Sequence, residues 1–462
     1  TLFLTPTPTP DETLARSNLI AHETAHMWFG DLVTMRWFND VWTKEVFANY
    51  FAAEITHPQF PEVNYDIYWL RNFKQAAVAE DRTDGRTAIQ QRLDNLADAG
   101  LIYNNIIYNK APLVMREMVG MMGNDAFQRG IRRYIRDFAY GNASWDDLIG
   151  ILDAETPADL KAYSDQWVKQ PHYPTIVADS HRPNPQGRQY GFVEMTREQT
   201  DSLMACWATE PDATAKQSFL MTLYENYLAG NIADREWCDF LVGILQHEAE
   251  PLTVATSVSY LKEPLWRLDK DSRATLEAAL WELAQTHESK ACQLQLIRLL
   301  SAHGCADETN KQMYVLWRYA DNDLLSVNDY MTMAYELALR YPTLARDIIA
   351  EEHDRIINPD RQRQFEYISR AVSPDSAACD SLFRWLLVPD NRRIEPWAGS
   401  ALYYLNHPFR DVESARFIRP ALEALQEVQR TGDIFFPSRW CSSLLQGHRS
   451  DEARTELESF LE

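Results

Sequence analysis

Apolar residues recur at helical spacing over most of the chain, and the few places where they do not mark changes of character. The pattern predicts helices over residues 10–29, 40–56, 65–78, 106–121, 124–138 and 144–152. Local signals set several of their ends. Thr9-Pro10-Asp11-Glu12 reads as a capping box with proline in the first helical turn, and Gly30 as the residue that closes the first helix. Asn39 or Asp40 reads as the cap of the second helix, which stops before Pro58. Pro112 fits a helix over 106–121 only in its first turn, where a missing N–H is no loss. Ser144-Trp145-Asp146-Asp147 is a further start signal, Asp81 to Arg86 a charged turn, and Thr5 to Pro10 an extended, polyproline-like lead-in.

Between Tyr173 and Thr196 the texture changes. Thr175-Ile176-Val177 and Tyr190-Gly191-Phe192-Val193 are short strand candidates around a turn-rich stretch, Arg182 to Gly187. From about residue 198 helix follows helix. Leu276, Leu280 and Leu283 share a face, Thr214-x-x-Gln217 and Ser326-x-x-Asp329 look like starts, and Pro251, Pro342, Pro359, Pro389 and Pro408 punctuate. Successive paired helices without a fixed repeat length suggest an irregular α-solenoid. The fold class is mainly α, in three stretches: 1–174, a short β segment or linker at 175–197, and a helical region at 198–462.

A chain of 462 residues is long enough for two or three domains with sizeable cores. Only 16 Gly beside 14 Trp and 21 Tyr suits helices packed through aromatic side chains better than a turn-rich sandwich. The net charge of −22 argues against a nucleic-acid partner, whose phosphates it would repel. No apolar run approaches the roughly 20 residues that span a bilayer, and no secretory leader is visible. The start at Thr1 without Met suggests a fragment, so the compartment, cytoplasmic or periplasmic and secreted, stays open, as does the oligomeric state. The 6 Cys all lie beyond residue 200 without paired spacing, which favours buried free thiols over a disulfide framework.

The candidate chemistry sits on the first two helices. His22 and His26 stand at i and i+4, so both imidazoles leave one helix face, about a turn apart, and can bind one small cation. Glu23, between them, is placed to act on a water beside such a cation. A tetrahedral catalytic zinc takes three protein ligands and keeps one position for water. Glu45 follows His26 after eighteen intervening residues, enough for one helix to end and a second to present a carboxylate. Glu54 lies two turns further along and is the poorer candidate.

This pattern, H-E-x-x-H followed by a distant Glu with Trp28-Phe29-Gly30-Asp31-Leu32-Val33-Thr34 after the second His, resembles the M1 family of zinc aminopeptidases. Tyr108-Asn109-Lys110-Ala111-Pro112 is similar to the family's tyrosine segment, and Trp167-Val168-Lys169-Gln170-Pro171-His172-Tyr173-Pro174 to the string that closes its catalytic domain. The resemblance implies a thermolysin-like catalytic domain over 1–174, one Zn2+ on His22, His26 and Glu45, and release of N-terminal residues from peptide substrates. It implies Glu23 as general acid and base, Tyr108 as oxyanion donor and Tyr103 as a wall of the first-residue pocket, with a HEAT-like helical domain after the β segment. His57, His172 and His181 are left as solvated or structural histidines.

Several positions depart from the family pattern. Lys44 and Val46 flank Glu45 where Asn and Gly are usual, Ala111 and His172 replace Gly, the family's β-sandwich is reduced to about two strands, and the amine-binding G-x-M-E-N segment is not in the sequence. The chain alone is therefore expected to bind zinc yet cleave aminoacyl reporters poorly. A non-enzymatic scaffold that binds a partner through its helical region, or a zinc endopeptidase, is the alternative.

Overall fold

The structure, a computed structural model, describes residues 10–178, 180 and 182–461. Thr9, the lead-in before Pro10, and His181 lie outside the described residues. The described chain is mainly helical, and its contacts divide it into two compact units, Thr1–Arg267 and Leu268–Glu462.

The first unit opens with α1 (Pro10–Ala25), then β1 (Val33–Met35) and α2 (Trp42–Thr56). α1 ends sooner than its apolar pattern suggests. Its last hydrogen-bonded turn gives way at Ala25, because the backbone then wraps back and Asp31, Leu32 and Val33 donate their N–H groups to the carbonyls of His26, Met27 and Trp28. Gly30 sits inside that wrap at φ +128°, a backbone that side-chain-bearing residues avoid.

The second helix starts without the expected cap. A 3₁₀ turn, Phe38–Asp40, runs straight into α2 through Val41 in helical conformation. Asn39 and Asp40 are used elsewhere. The Asn39 side chain accepts from the Leu93 N–H, and the buried Asp40 carboxylate accepts from Gln90 and from the Trp145 N–H.

α3 (Tyr65–Trp69) and α4 (Gln75–Asp81) form one helical run joined by a π-helical turn, Leu70–Lys74. A second π turn, Ile106–Lys110, leads into α5 (Ala111–Met122), whose Pro112 lies in the first turn as expected. α6 (Asn124–Phe138), β2 (Gly141–Ala143) and α7 (Trp145–Asp153) follow, and α7 starts with the expected capping box of Ser144 and Asp147. β1 and β2 pair in parallel, Val33 opposite Gly141, a pairing the sequence pattern did not signal.

A single apolar core joins these helices. Trp42, Trp69 and Trp145 are fully buried, the Trp42 and Trp145 rings lie 4.6 Å apart, and Phe29 stacks on Phe47 at 4.5 Å. That last contact clamps the end of α1 onto α2. Burying a large apolar side chain is worth about 2–3 kcal/mol, so the core holds the two helices in a fixed relation.

The two expected strands are present as β3 (Thr175–Val177) and β4 (Phe192–Glu194), paired in parallel with Ile176 opposite Val193. The loop between them is tied down by the buried Lys74 ammonium, which donates to the carbonyls of Gly187 and Gln189. Helices then continue to Arg267 within this unit. The first of the long ones begins at Ala213 with Asp212 as its cap, one step before the Thr214-x-x-Gln217 signal.

The described part of the second unit is mainly helical, and its helices pack both on sequence neighbours and on helices further along, as Glu395–Leu405 does on Phe436–Leu445. Val327–Arg340 starts with the Ser326 and Asp329 capping box that its sequence announces. All six cysteines are free thiols, with Cys238, Cys292 and Cys379 buried and Cys206 exposed.

Candidate active site

His22 leaves the last turn of α1, and His26 leaves the turn just beyond it. The His26 N–H still donates to the His22 carbonyl at 3.3 Å, so the helical i, i+4 relation of the two rings survives the end of the helix. Glu45 comes from the first turn of α2 and is buried. The three residues converge. His22 Nε2 and His26 Nε2 are 3.1 Å apart, and Glu45 Oε2 is 3.4 Å from the first and 3.5 Å from the second.

The outer partners of the rings fix which nitrogens carry protons. His26 Nδ1 faces the Phe29 carbonyl at 3.0 Å, and a carbonyl can only accept. His22 Nδ1 faces Asn49 Oδ1 at 2.8 Å, while the Asn49 NH2 donates to the Tyr108 carbonyl at 2.9 Å. Both Nδ1 atoms are therefore the N–H donors of their neutral rings, and both Nε2 atoms offer lone pairs toward each other and toward a carboxylate. Three acceptors facing one point repel unless a proton or a cation lies among them. The triangle they form also has the right size, because one face of a tetrahedron with bonds of about 2.0–2.1 Å has edges of about 3.3–3.4 Å. Among the described residues these three alone form a cluster able to hold a metal ion.

The charges around the cluster agree. Where a proton lies among the three, burial still pushes the Glu45 carboxyl up, but hydrogen bonds from an Nε2–H of His22 or His26 and the nearby Lys44 ammonium bring it down to about 2. Lys44 Nζ lies 3.5 Å from Glu45 Oε1, the oxygen turned away from the histidines. That proton's hydrogen bond to Glu45 raises His26 above an ordinary imidazole. Glu54, the weaker ligand candidate, is engaged elsewhere, accepting the Tyr65 hydroxyl at 2.6 Å.

Glu23 is solvent-exposed on the turn between the two histidines. Tyr108 lies in the second π turn, and the rings of Tyr103 and Tyr108 are 6.2 Å apart. Both phenols are half-buried and feel the Glu45 charge. Burial first, then Glu45, pushes Tyr103 up to about 12, and burial, Glu45, Tyr103 and Glu23 raise Tyr108 further. Both hydroxyls thus keep their protons at neutral pH and can act as uncharged donors.

Two supports were not visible in the sequence. One is Asn49, between His22 and Tyr108. The other is a cluster behind the Tyr108 turn, built on the fully buried Lys110 and Asp81. Lys110 Nζ pairs with Asp81 Oδ2 at 2.7 Å and donates to the His172 carbonyl at 2.9 Å, and the Tyr190 hydroxyl donates to the same Asp81 oxygen at 2.8 Å. Only the spacing Tyr108-x-Lys110 hints at it, since a lysine two residues from a site tyrosine reads as a solvated charge. His172 packs its ring edge-on against Trp167 at 4.5 Å, and His57 stacks on Tyr65 at 3.9 Å, which are structural roles.

Two imidazoles and a carboxylate from neighbouring helices make a site able to hold one divalent cation. Residues 2–167 match the model of the peptidase family M1 domain. Over 165 residues the chain is 34% identical to aminopeptidase N of Lactobacillus helveticus, covering 35% of this chain and 19% of that protein. It is 34% identical over 157 residues to aminopeptidase N of Streptomyces lividans, covering 33% and 18%. Human endoplasmic reticulum aminopeptidase 2 is 34% identical over 147 residues, covering 32% of this chain and 15% of its own length. The chain thus spans about a fifth of the length of the curated relatives it matches.

Proposed function

We propose that this chain carries the catalytic centre of a zinc-dependent aminopeptidase, with His22, His26 and Glu45 as the ligands. The convergence of two imidazole lone pairs and one carboxylate oxygen within 3.1–3.5 Å carries the reading. Two nitrogens and one oxygen in a tetrahedral face favour zinc over the oxygen-loving cations. When bound, zinc supplies Lewis acidity to a peptide carbonyl and lowers the pKa of a water toward neutrality.

The remaining steps belong to the chain's own residues. Glu23 takes a proton from the attacking water, whose oxygen adds to the peptide carbon. The C–N bond breaks, and Glu23 returns the proton to the leaving amine. Tyr108 donates its hydroxyl hydrogen to the oxyanion that forms at the former carbonyl oxygen, a contribution that matters most as charge develops. Tyr103, beside it, lines the space for the first residue of the peptide. Release of N-terminal residues rests on the relatives' names and on the family; it is tested by comparing free with amino-blocked peptides.

The deciding measurement is zinc content by elemental analysis of the metal-exchanged chain, with Glu45→Ala in parallel. About one zinc per parent chain and far less in the variant are expected. Equal zinc in both would overturn the ligand assignment. Among the described residues no helix is long and apolar enough to cross a membrane.

A further inference from the structure

Asn49 lies one helical turn beyond Glu45 on α2, outside the motifs that carry the family resemblance, and it is half-buried. Its amide faces two different elements. Toward the second π turn it meets the Tyr108 carbonyl at 2.9 Å, and toward α1 it meets His22 Nδ1 at 2.8 Å. A carbonyl only accepts, so the NH2 must face Tyr108 and the oxygen must face His22. The orientation of this amide is therefore settled by chemistry, and so is the tautomer of His22.

We propose that Asn49 is a positioning residue whose one planar amide sets both the His22 ring and the turn that carries Tyr108. The inference rests on the reading of His22 as a zinc ligand and Tyr108 as oxyanion donor. A neutral imidazole without a fixed acceptor at Nδ1 populates both tautomers and turns about its side-chain bonds, and each departure removes the lone pair from the metal position. Asn49 suppresses both freedoms. The same group holds the Tyr108 carbonyl, so the place of the phenol is tied to the place of the ligand. A rotation of the amide that improved one contact would lengthen the other, because oxygen and nitrogen sit on one rigid plane. Neither a hydroxyl nor a carboxylate does both jobs, since the first is too short to bridge and the second cannot donate.

That difference supplies the test. Asn49→Asp keeps an acceptor for His22 and loses the donor to Tyr108, whereas Asn49→Leu loses both. The full chain is stripped of metal and titrated with zinc against a chelating indicator. Deuterium uptake of the peptide spanning 104–112 is followed in the same samples, and turnover of a free dipeptide in the zinc-loaded ones.

Asn49→Leu is expected to bind zinc ten- to a hundred-fold more weakly. Its metal-free melting temperature should stay near the parent's, which separates a positioning role from a general loss of structure. Asn49→Asp is expected to bind zinc at least as tightly as the parent, yet to exchange faster over 104–112 and to lose kcat with little change in KM. Zinc affinity unchanged in Asn49→Leu, or exchange and kcat unchanged in Asn49→Asp, would overturn the role of Asn49. A parent chain that takes up no zinc would overturn the metal reading and this inference with it, an outcome distinct from a parent that binds zinc and variants that match it.

Discussion

Replacing Lys110 with methionine perturbs stability and the site at once. The Lys110 and Asp81 side chains are both fully buried, 2.7 Å apart. Burial pulls the Lys110 ammonium below its usual range, while Asp81 pulls it back up. Methionine fills a similar volume but leaves the Asp81 carboxylate with the Tyr190 hydroxyl as its remaining donor, and Asp81 Oδ1 has no hydrogen-bond partner even in the parent. A buried carboxylate stripped of its ion partner costs about 3–5 kcal/mol. A unit of this size loses roughly 2–4 °C of melting temperature per kcal/mol, so a fall on the order of 10 °C is expected. Reversible urea unfolding followed by tryptophan emission reads the free energy, since Trp42, Trp69 and Trp145 lie in the same core. Adding Asp81→Leu to Lys110→Met removes the orphaned charge and should return the protein to within about 2 kcal/mol of the parent, the residue being the unpaired Tyr190 hydroxyl and His172 carbonyl. A loss below 1 kcal/mol in Lys110→Met, or a double variant as unstable as the single one, would refute the claim that a buried pair anchors this turn.

Glu23→Gln should retain zinc and lose nearly all peptide hydrolysis, because the amide cannot carry the proton; steady-state rates beside elemental analysis check this. Tyr108→Phe should lower kcat by about 10²–10³ with little effect on KM, and an equal loss from KM would point instead to ground-state binding. Lys74 gives a pH signature. Burial lowers its ammonium to about 8, with Glu225 opposing. Above that value the folded chain gives up the proton while the unfolded chain still holds it, up to the ordinary lysine value of about 10.4. The unfolded state then binds more protons, so this group makes stability rise with pH across that window, by up to about 3 kcal/mol, and adds no slope below it. Urea midpoints from pH 7 to 10.5 in the parent and in Lys74→Met should show the difference, and parallel curves would sink the assignment.

The convergence of His22, His26 and Glu45 was legible because its information is local. His22 and His26 need only one helical turn, and Glu45 needs only a second helix of ordinary length behind a short link. The strands at Thr175–Val177 and Phe192–Glu194 were legible for the same reason, flanking one turn-rich stretch. What escaped was pairing at long range. β1 and β2 have three residues each, too few for an alternation to stand out, and they meet only once α6 brings Gly141 beside Val33. Asn39 and Asp40 look like caps in isolation, but Leu93, Gln90 and Trp145, all distant in sequence, compete for their oxygens and win. The end of α1 was misplaced because its apolar spacing continues through Phe29. That ring is buried on Phe47 from a wrapped turn, with the helix already closed.

The reduced β segment looks at first like a loss, since two three-residue strands cannot build a sandwich. Its contacts assign it a different job. Tyr190, at the edge of β4, reaches back to Asp81 at the end of α4, and Lys74 in the first π turn grips the loop carbonyls of Gly187 and Gln189. His172, just before β3, offers its carbonyl to Lys110, and a carbonyl is available there whatever the side chain, so the departure from glycine at 172 leaves the contact intact. The segment thus closes a buried polar cluster over the turn that carries Tyr108. Asn49 holds the same turn from the side of α2. In the role proposed for Tyr108, a phenol that meets a developing charge gains from being held on two sides, because every freedom left in its backbone would have to be frozen again at the transition state.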